Sequence, residues 1–300
     1  MQEHDSRAKA KQNAEFITPP KLRKFLSKKV KGSNLSVIEP AVGSGQLLFD
    51  FEEKIAEITG YEVNSDCGET LKNNFGEKIN FINSDFITAD ITGNFDVAIS
   101  NHPFSLKANE EQKKYILSDK FLGKFYEKKI TGVLDFVFIL KAFNCAKEGH
   151  FLCFPGIGYR SGEKKFRRYL VENGLVKEYG LINNCKFEHT SISILYLYLS
   201  KEKSDEPVKS FLLDLETDEK IESEITEWEE DCNFVIPSRE IIPDKVSPVE
   251  LEKNARKDIE RGLVKQIQIS QAVWQIDEKV RILPSIEEWK NDLKTLITIT

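Results

Sequence analysis

The chain has 300 residues, of which 40% are hydrophobic, and it carries 43 Lys and Arg against 49 Asp and Glu, a formal net charge of −6. This apolar content can fill a substantial core, but no stretch approaches the roughly 18 uninterrupted apolar residues of a membrane-spanning helix. The charged N-terminus, MQEHDSRAKAKQ, lacks the apolar core of a secretion signal, so we expect a cytoplasmic protein with no membrane partner.

The five cysteines and four histidines are scattered along the chain. No pair of them has the spacing of a metal-ligand or redox motif. We therefore predict no metal site, and we expect free cysteines that serve as small core residues.

Three segments differ in charge and in pattern. Residues 1–33 are basic and polar, residues 34–200 alternate short apolar runs with helical patterns, and residues 201–300 are acidic and then helical. We predict an N-terminal basic segment, a central α/β domain and a C-terminal extension. The extension either packs on its parent domain or serves as a partner or DNA-recognition region. Its acidic part cannot lie on nucleic acid, and the simplest reading is a solvated surface.

In chain order, Pro19-Pro20 precedes a predicted helix, KLRKFLSKKV, and strands and helices then alternate. Helical stretches include Gln46–Ile58 and Leu134–Ala146. The strand candidates are Leu35–Glu39, Ile58–Val63, Ile79–Asn83, Phe95–Ser100, His150–Pro155, Lys177–Asn183 and Ser191–Ser200. Alternation of this kind predicts a mostly parallel sheet covered on both faces. The short turn before the last strand, CKFEHT, predicts a hairpin, which would make that strand antiparallel to the other six.

The first candidate site is a glycine loop, VIEPAVGSGQLL, in which a buried strand ends at Glu39-Pro40 and a turn leads into a helix. Gly43 and Gly45 let the backbone adopt positive φ and approach a ligand closely. Ligands of open α/β sheets bind outside the carboxyl ends of the strands, where this loop falls. The alternative is an ordinary strand–turn–helix connection, because a lone G-x-G is weak evidence.

Acidic residues follow the next two strands. Glu62 lies about 20 residues beyond the glycine loop, where a carboxylate can bind both hydroxyls of a ribose. Asp85 can accept a hydrogen bond from the amine of an adenine ring, and Phe86 can cover a face of that ring. The alternatives are a surface carboxylate for Glu62 and a turn or helix-capping residue for Asp85.

The fourth strand ends in Asn101-His102-Pro103-Phe104. Pro103 fixes the backbone and so the direction of nearby carbonyl groups. Asn101 offers a side-chain oxygen, and Phe104 offers a stacking face for a base that has left a nucleic-acid stack. A plain strand-ending turn is the alternative.

Taken together, these motifs resemble those of the gamma-class N6-adenine DNA methyltransferases, and more closely the modification subunits of type I restriction–modification systems. The family's order is F-x-T-P, D/E-P-A-x-G-S-G, an acid, an aspartate and N-P-P-F/Y. This chain matches it with Phe16-Ile17-Thr18-Pro19, Glu39-Pro40-Ala41-Val42-Gly43-Ser44-Gly45, Glu62, Asp85 and Asn101-His102-Pro103-Phe104. Each motif alone is moderately specific, and the five in this order are strongly so.

The resemblance implies a class I S-adenosylmethionine-dependent fold with seven strands, the last antiparallel, and a methyltransferase catalytic domain over residues 34–200. It assigns the cofactor S-adenosylmethionine to Phe16, Thr18, Pro19, Glu39, Ala41, Gly43, Gly45, Glu62, Asp85 and Phe86. It assigns the target adenine to Asn101, the carbonyl of His102, Pro103 and Phe104. It also implies DNA as the substrate and a separate specificity subunit that reads the sequence, for which this chain would be a shortened modification subunit.

The chain departs from the family pattern at His102, where the second position of the motif is usually proline. The contact from that position is a backbone carbonyl, which any residue supplies. Asn101 and this carbonyl would hold both N–H groups of the adenine amine and direct its lone pair at the sulfonium methyl. The competing hypotheses are an RNA adenine methyltransferase, a protein glutamine methyltransferase and a catalytically silent cofactor-binding subunit.

Overall fold

The computed structural model describes residues 17–126, 133–187 and 190–238, and the structural statements below refer to those residues. The α-helices are α1 (Pro20–Lys29), α2 (Cys67–Phe75), α3 (Glu110–Ser118), α4 (Asp135–Asn144) and α5 (Lys164–Glu172). The strands are β1 (Leu35–Glu39), β2 (Ile55–Glu62), β3 (Ile79–Asn83), β4 (Phe95–Ser100), β5 (Ala146–Cys153), β6 (Val176–Phe187), β7 (Thr190–Ser200), β8 (Val208–Asp214) and β9 (Lys220–Ile225). Short 3₁₀ helices lie at Gln46–Phe51, Gly76–Lys78, Leu122–Phe125, Pro155–Gly158 and Ser161–Glu163.

All the described strands belong to one sheet with the order β3-β2-β1-β4-β5-β7-β6-β8-β9. Strands β1 to β5 pair in parallel, with Val37 of β1 opposite Ile58 of β2 and Val97 of β4. Strand β7 is inserted between β5 and β6 and is antiparallel to both. The predicted α/β class and the antiparallel seventh strand are therefore confirmed.

The predicted count of seven strands is wrong, because the sheet of the described residues has nine. Strand β8 pairs with β6 in parallel, and β9 closes this side as an antiparallel edge. In β8, Phe211 and Leu213 are buried, whereas β9 has no buried residue. Half of the residues of β9 are charged, so this solvated edge strand has the composition of an acidic surface segment, and the sequence pattern did not reveal it.

Two hydrophobic cores cover the two faces of the sheet. Successive residues of β1 point to opposite faces, so Val37 packs in one core and Ile38 in the other. One core contains the apolar side of α4 and α5, and the other contains α1, α2 and the 3₁₀ helix Gln46–Phe51. This double coverage explains the near-continuous apolar runs of the central parallel strands.

Helix α1 begins at Pro20, whose ring suits the first helical position because no hydrogen bond is lost there. Leu22, Leu26 and Val30 recur at every fourth position and are at most 1% exposed, so one side of the helix packs on the sheet. The helix places the preceding Thr18 and Pro19, both buried, at the end of the sheet where β1 and β4 terminate.

Several predicted boundaries differ from the structure, those of β2, β5 and β6 among them, and two differences change the architecture. The helical stretch predicted over Gln46–Ile58 is a 3₁₀ helix that ends at Phe51, and β2 begins at Ile55. The predicted domain boundary at residue 200 cuts the sheet, because the compact unit that holds β8 and β9 runs to Arg239. In the described part of the chain, no helix is both long enough and apolar enough to cross a bilayer.

Candidate active site

Four polar segments meet along one edge of the sheet. Because β3, β2, β1 and β4 are parallel neighbours, their carboxyl ends lie side by side, and the residues that follow them share this edge. Glu39 ends β1, Glu62 ends β2, Asp85 follows β3 and Asn101 follows β4. The predicted site residues at these four strand ends are therefore brought to one side of the molecule.

The loop after β1 is fastened to the end of β2. Gly43 has φ +50° and its N–H donates to Oε2 of Glu62 at 3.1 Å, while Oε1 of Glu62 accepts the N–H of Asn64 at 2.9 Å. The Glu62 carboxylate is therefore held in one orientation beside the glycine loop. Val63, the next residue, is 70% exposed and places an apolar side chain on the surface next to this carboxylate. The sequence pattern predicted Val63 only as the end of a strand. The signal for a place at the site was its position directly after the strand-end acid in GYEVN.

The two glycines of the loop have different reasons to be glycine. A Cβ on Gly43 would meet no atom within 4 Å, so the space beside it is open. Gly45 has φ +79°, and a Cβ there would lie 2.4 Å from Cε2 of Phe75 and 2.8 Å from Cδ2 of Leu71. Packing against α2 therefore requires glycine at position 45. The sequence did not indicate this packing role.

We expect Gly45→Ala to destabilise the protein more than Gly43→Ala. Both variants place alanine at positive φ, which costs about 1–2 kcal/mol, and Gly45→Ala adds an overpacking cost of about 1–3 kcal/mol. Urea unfolding of the two variants and the parent measures the difference. An equal loss of stability in both would contradict the packing role of Gly45.

Glu39 is a buried acid at the head of the glycine loop. Its side chain is 1% exposed, its Oε1 accepts the N–H of Ala41 at 3.3 Å, and its Oε2 has no hydrogen-bond partner among the described residues. Burial raises the pKa of the Glu39 carboxyl to about 8, although the nearby Ser100 hydroxyl and the N–H of Ala41 act in the opposite direction. A buried carboxyl oxygen without a donor fits a ligand that brings a positively charged or N–H group to this position.

The carboxylate of Asp85 is built into the turn that follows β3. Its Oδ1 accepts the N–H of Ile87 at 2.9 Å, and its Oδ2 accepts Nε2 of Gln112 at 2.8 Å. Gln112 belongs to the capping box of α3 with Asn109, so α3 and the turn after β3 are joined here. Each carboxylate oxygen has a second lone pair, which leaves Asp85 able to accept a further hydrogen bond.

Phe86 does not line the site surface, contrary to the expectation that it covers a ligand ring. Its side chain is 2% exposed and packs edge-on against Tyr61 and parallel to Phe138, with ring centres 5.1 and 6.0 Å apart. It is a core residue that supports the turn of Asp85.

The end of β4 is joined to the segment before α1. Nδ2 of Asn101 donates to Oγ1 of Thr18 at 2.9 Å, across 83 residues of sequence. Thr18 is 3% exposed and Pro19 is also buried, so this contact lies in a protected position. The bond fixes the amide so that its oxygen faces away from Thr18. Phe16, predicted to belong to the same segment, lies outside the described residues.

His102 points into the protein. The imidazole is 1% exposed, stacks on Phe138 with ring centres 5.5 Å apart, and meets Phe104 edge-on at 6.1 Å. Neither ring nitrogen has a hydrogen-bond partner in the described part of the chain. Burial lowers the pKa of His102 to about 3, so the ring is neutral near pH 7. Pro103 and Phe104 are half-buried and lie nearer the surface.

This edge therefore combines a buried acid, an oriented carboxylate, an exposed apolar side chain and two potential acceptors at the end of β4. Such an arrangement can bind a polar ligand along the first three strand ends and hold an amine at the fourth. Within residues 17–126, 133–187 and 190–238, no group of three or more His, Cys, Asp or Glu side chains is arranged to bind a metal ion.

The chain is similar to known proteins. The family model described as N-6 DNA Methylase matches residues 2–231 of the chain. The methylase subunit of the type I restriction enzyme MpnII from Mycoplasma pneumoniae is 28% identical over 227 residues, which cover 65% of this chain and 42% of that protein. The chain thus spans less than half the length of this curated relative.

Solved structures share the fold. The methyltransferase subunit of a type I restriction-modification system from Streptococcus thermophilus superposes with a TM-score of 0.57 at 21% identity, over 67% of this chain and 47% of that chain. A Listeria monocytogenes protein described as a class I S-adenosylmethionine-dependent methyltransferase gives a TM-score of 0.54 at 17% identity, over 66% and 65% of the two chains.

Proposed function

The chain belongs to the N-6 DNA methylase family, and we propose that it transfers the methyl group of S-adenosylmethionine to the N6 amine of adenine in DNA. The observation that carries the proposal is the 2.9 Å contact between Thr18 and Asn101, which joins the first family motif to the last. That contact unites the segment assigned to the cofactor with the segment assigned to the target base.

The residues along the sheet edge fit S-adenosylmethionine. The buried Oε2 of Glu39, which has only the Ser100 hydroxyl nearby, would accept from the ammonium group of the methionine part. The oriented carboxylate of Glu62 would accept from the ribose hydroxyls, since each oxygen can take more than one hydrogen bond. Val63 would lie against the adenine ring, and Asp85 would accept from the ring's amine.

The other residues assigned to the cofactor would lie next to Glu39, Glu62, Val63 and Asp85. The open space beside Gly43 leaves room for the carboxylate end of the ligand, and the N–H of Ala41 holds Glu39 in place. Thr18 and Pro19, with Phe16 before them, would close over the methionine part. Gly45 and Phe86 would contribute only by shaping the loop and the turn.

At the end of β4, the side-chain oxygen of Asn101 and the carbonyl of His102 would each accept one N–H of the adenine amine. Holding both N–H groups directs the nitrogen lone pair toward the donor and replaces solvent by fixed dipoles. When bound, S-adenosylmethionine supplies an electrophilic methyl group on a sulfonium leaving group. Phe104 would stack on the target base, which must leave the DNA helix at a cost of a few kcal/mol.

Positive charge on α1 supports a polyanionic substrate. Lys21, Lys24 and Lys28 of α1 and Lys31 just beyond it are exposed and line one groove of about 870 Å³, in which lysines outnumber the acidic residues Glu148, Glu178, Glu206, Asp218 and Glu222. Thr18, which contacts Asn101, lies just before α1, so the lysines lie at increasing distance from the proposed catalytic edge along the helix. Because the net charge of the chain is −6, a local concentration of lysines favours contact with phosphates.

The imidazole of His102 is not required by this mechanism. We expect His102→Phe to keep turnover within about threefold of the parent, because the backbone carbonyl remains and phenylalanine preserves the stacking on Phe138. Removing two buried nitrogens without partners should also raise stability by about 1–3 kcal/mol. Turnover and thermal unfolding of the variant check both statements. A drop in turnover of a hundredfold would assign the imidazole a role of its own.

We propose further that the chain acts as the modification subunit of a restriction–modification-like assembly, with a separate subunit that reads the DNA sequence. Support comes from the names of its relatives, a type I methylase subunit and a type I methyltransferase subunit. Light scattering and DNA affinity, measured with and without a type I specificity subunit from the same source, test this extension separately from the chemistry.

The test of the activity is transfer of labelled methyl groups from S-adenosylmethionine to unmethylated genomic DNA, with total RNA and bulk protein as parallel substrates. Label in DNA alone supports the proposal. Label in RNA or in glutamine of protein would favour the two other reactions that use a similar end of strand four. Tight cofactor binding with no label in any substrate would favour a silent subunit.

A further inference from the structure

A cluster of buried charged groups lies next to the Asn101–Phe104 segment. Asp135, the first residue of α4, is 0% exposed, and Glu163 is 4% exposed. Nη2 of Arg160 lies 3.7 Å from Oδ2 of Asp135 and 2.8 Å from Oε1 of Glu163. Two acids are costly to bury around one cation, so such a cluster calls for an explanation.

Asp135 also holds the chain just after the motif. Its Oδ1 accepts the N–H of Ser105 at 2.8 Å, and the N–H of Leu134 donates to the carbonyl of Leu106 at 2.8 Å. The start of α4 therefore clamps the two residues that follow Phe104. Thirty residues of sequence separate the partners in the Asp135–Ser105 bond, so the clamp is a tertiary feature.

Ser105 needs this support because its backbone is in the left-handed region, with φ +58°. Residues with a Cβ rarely adopt this conformation, and it persists only where the surroundings enforce it. The left-handed residue sets the direction in which the chain leaves the motif. It thereby fixes the orientation of the His102–Pro103–Phe104 backbone that precedes it.

The same acid faces a second loop. Arg160 lies in the segment after β5, the strand beside β4, and its guanidinium carbon is 6.0 Å from the ring centre of Phe154. Phe154 and Tyr159 in this segment are 37% and 65% exposed. Asp135 thus contacts the segment after β4 through Ser105 and the segment after β5 through Arg160.

We propose that Asp135 is a positioning residue that enforces the left-handed turn at Ser105 and so sets the backbone carbonyl of His102 and the ring of Phe104 for the target base. The proposal rests on the proposed function, because the residues that it positions are those assigned to the adenine. Asp135 itself touches neither substrate nor cofactor. Its effect on the reaction passes through the geometry of the motif.

The principal variants are Asp135→Ala, which removes the acceptor, and Asp135→Asn, which keeps an acceptor oxygen for Ser105. We expect Asp135→Ala to lower turnover on the order of 100-fold, the effect of displacing a reacting group by roughly 1 Å, with affinity for S-adenosylmethionine within about threefold. Asp135→Asn should recover most of that loss. Glu163→Gln is the matched control, because Glu163 is equally buried and pairs with the same arginine without contacting the motif segment.

Two substitutions at the exposed Ser105 test the mechanism without disturbing the core. Glycine adopts positive φ freely, so Ser105→Gly in the Asp135→Ala background should restore turnover about tenfold. Valine resists positive φ because it is β-branched, so Ser105→Val alone should reproduce at least a tenfold part of the Asp135→Ala defect. Ser105→Val remains informative if Asp135→Ala fails to fold.

Hydrogen–deuterium exchange over residues 101–106 provides a readout that needs no activity. Faster exchange there in Asp135→Ala, and unchanged exchange in Glu163→Gln, is the expected result even if the parent methylates no substrate offered. Unchanged exchange in Asp135→Ala would overturn the proposal. A turnover loss in Asp135→Ala no larger than in Glu163→Gln, or full turnover in Ser105→Val, would overturn it as well. Absence of activity in the parent, with the expected exchange pattern, would count against the proposed function alone.

Discussion

Asn101→Ala should lower methyl transfer to DNA by about 10³-fold or more while leaving the affinity for S-adenosylmethionine within about threefold. The substitution removes the side-chain acceptor for one N–H of the adenine amine, and it removes the contact with Thr18. Most of the cofactor residues lie on the neighbouring loops after β1, β2 and β3, so the cofactor should lose only the support that Asn101 gives to Thr18. Single-turnover rates and calorimetric binding measure the two quantities separately.

Thr18→Val provides the graded comparison for Asn101→Ala. It leaves the acceptor oxygen of Asn101 in place and removes only the hydroxyl that orients the amide. We therefore expect the turnover of Thr18→Val to lie between that of the parent and that of Asn101→Ala. Retention of more than about a tenth of the parental rate by Asn101→Ala would contradict the assigned role, because one preorganised polar group is typically worth at least 10²-fold.

Glu39→Gln should weaken S-adenosylmethionine binding by on the order of 10²- to 10³-fold, because it removes a buried charge that would pair with the ligand's ammonium group. The pKa of Glu39, raised to about 8 by burial, adds a pH dependence. At pH 6.5 the free protein holds a proton on Glu39, and an ammonium group beside the carboxyl would displace it. Binding should then release close to one proton per site.

The direction of the pH dependence of cofactor affinity follows from this release of a proton. The complex holds fewer protons than its free components between about pH 6 and 7, so affinity should rise as pH increases through that range; nearer pH 8 the ligand's own ammonium group loses its proton and the rise ends. Calorimetry in two buffers of different ionisation enthalpy measures the released protons. Glu39→Gln should release none, whereas Glu62→Gln should bind more weakly and still release the proton. Proton release that persists in Glu39→Gln would show that Glu39 does not meet the ammonium group.

The central part of the fold was predictable because burial on both faces leaves a clear mark on parallel strands. Leu35–Glu39, Ile79–Asn83 and Phe95–Ser100 were predicted with the bounds that the structure has. The apolar run of β8 was missed because it lies within an acidic segment, and β9 was missed because half of the residues in Lys220–Ile225 are charged and none is buried. Its place in the sheet comes from pairing with β8, which is a tertiary interaction.

The site was predictable where strand ends carry unusual residues and unpredictable where residues distant in sequence cooperate. Asn101 and Thr18 were each identified, but their contact depends on how α1 packs on the sheet. Asp135 gave no signal, because an acid at the start of an apolar helix is common for reasons of helix capping and dipole. Phe86 was predicted to cover a face of a ligand ring, because its packing against Tyr61 and Phe138 is a tertiary feature that the sequence does not indicate.

The most direct test of the account is mass-spectrometric analysis of nucleosides from unmethylated DNA incubated with the protein and S-adenosylmethionine, with Asn101→Ala in parallel. We expect N6-methyl-2′-deoxyadenosine in the DNA treated with the parent protein and none above background with Asn101→Ala. Methylation of another base, or DNA without N6-methyladenine under conditions in which the protein binds S-adenosylmethionine, would contradict it.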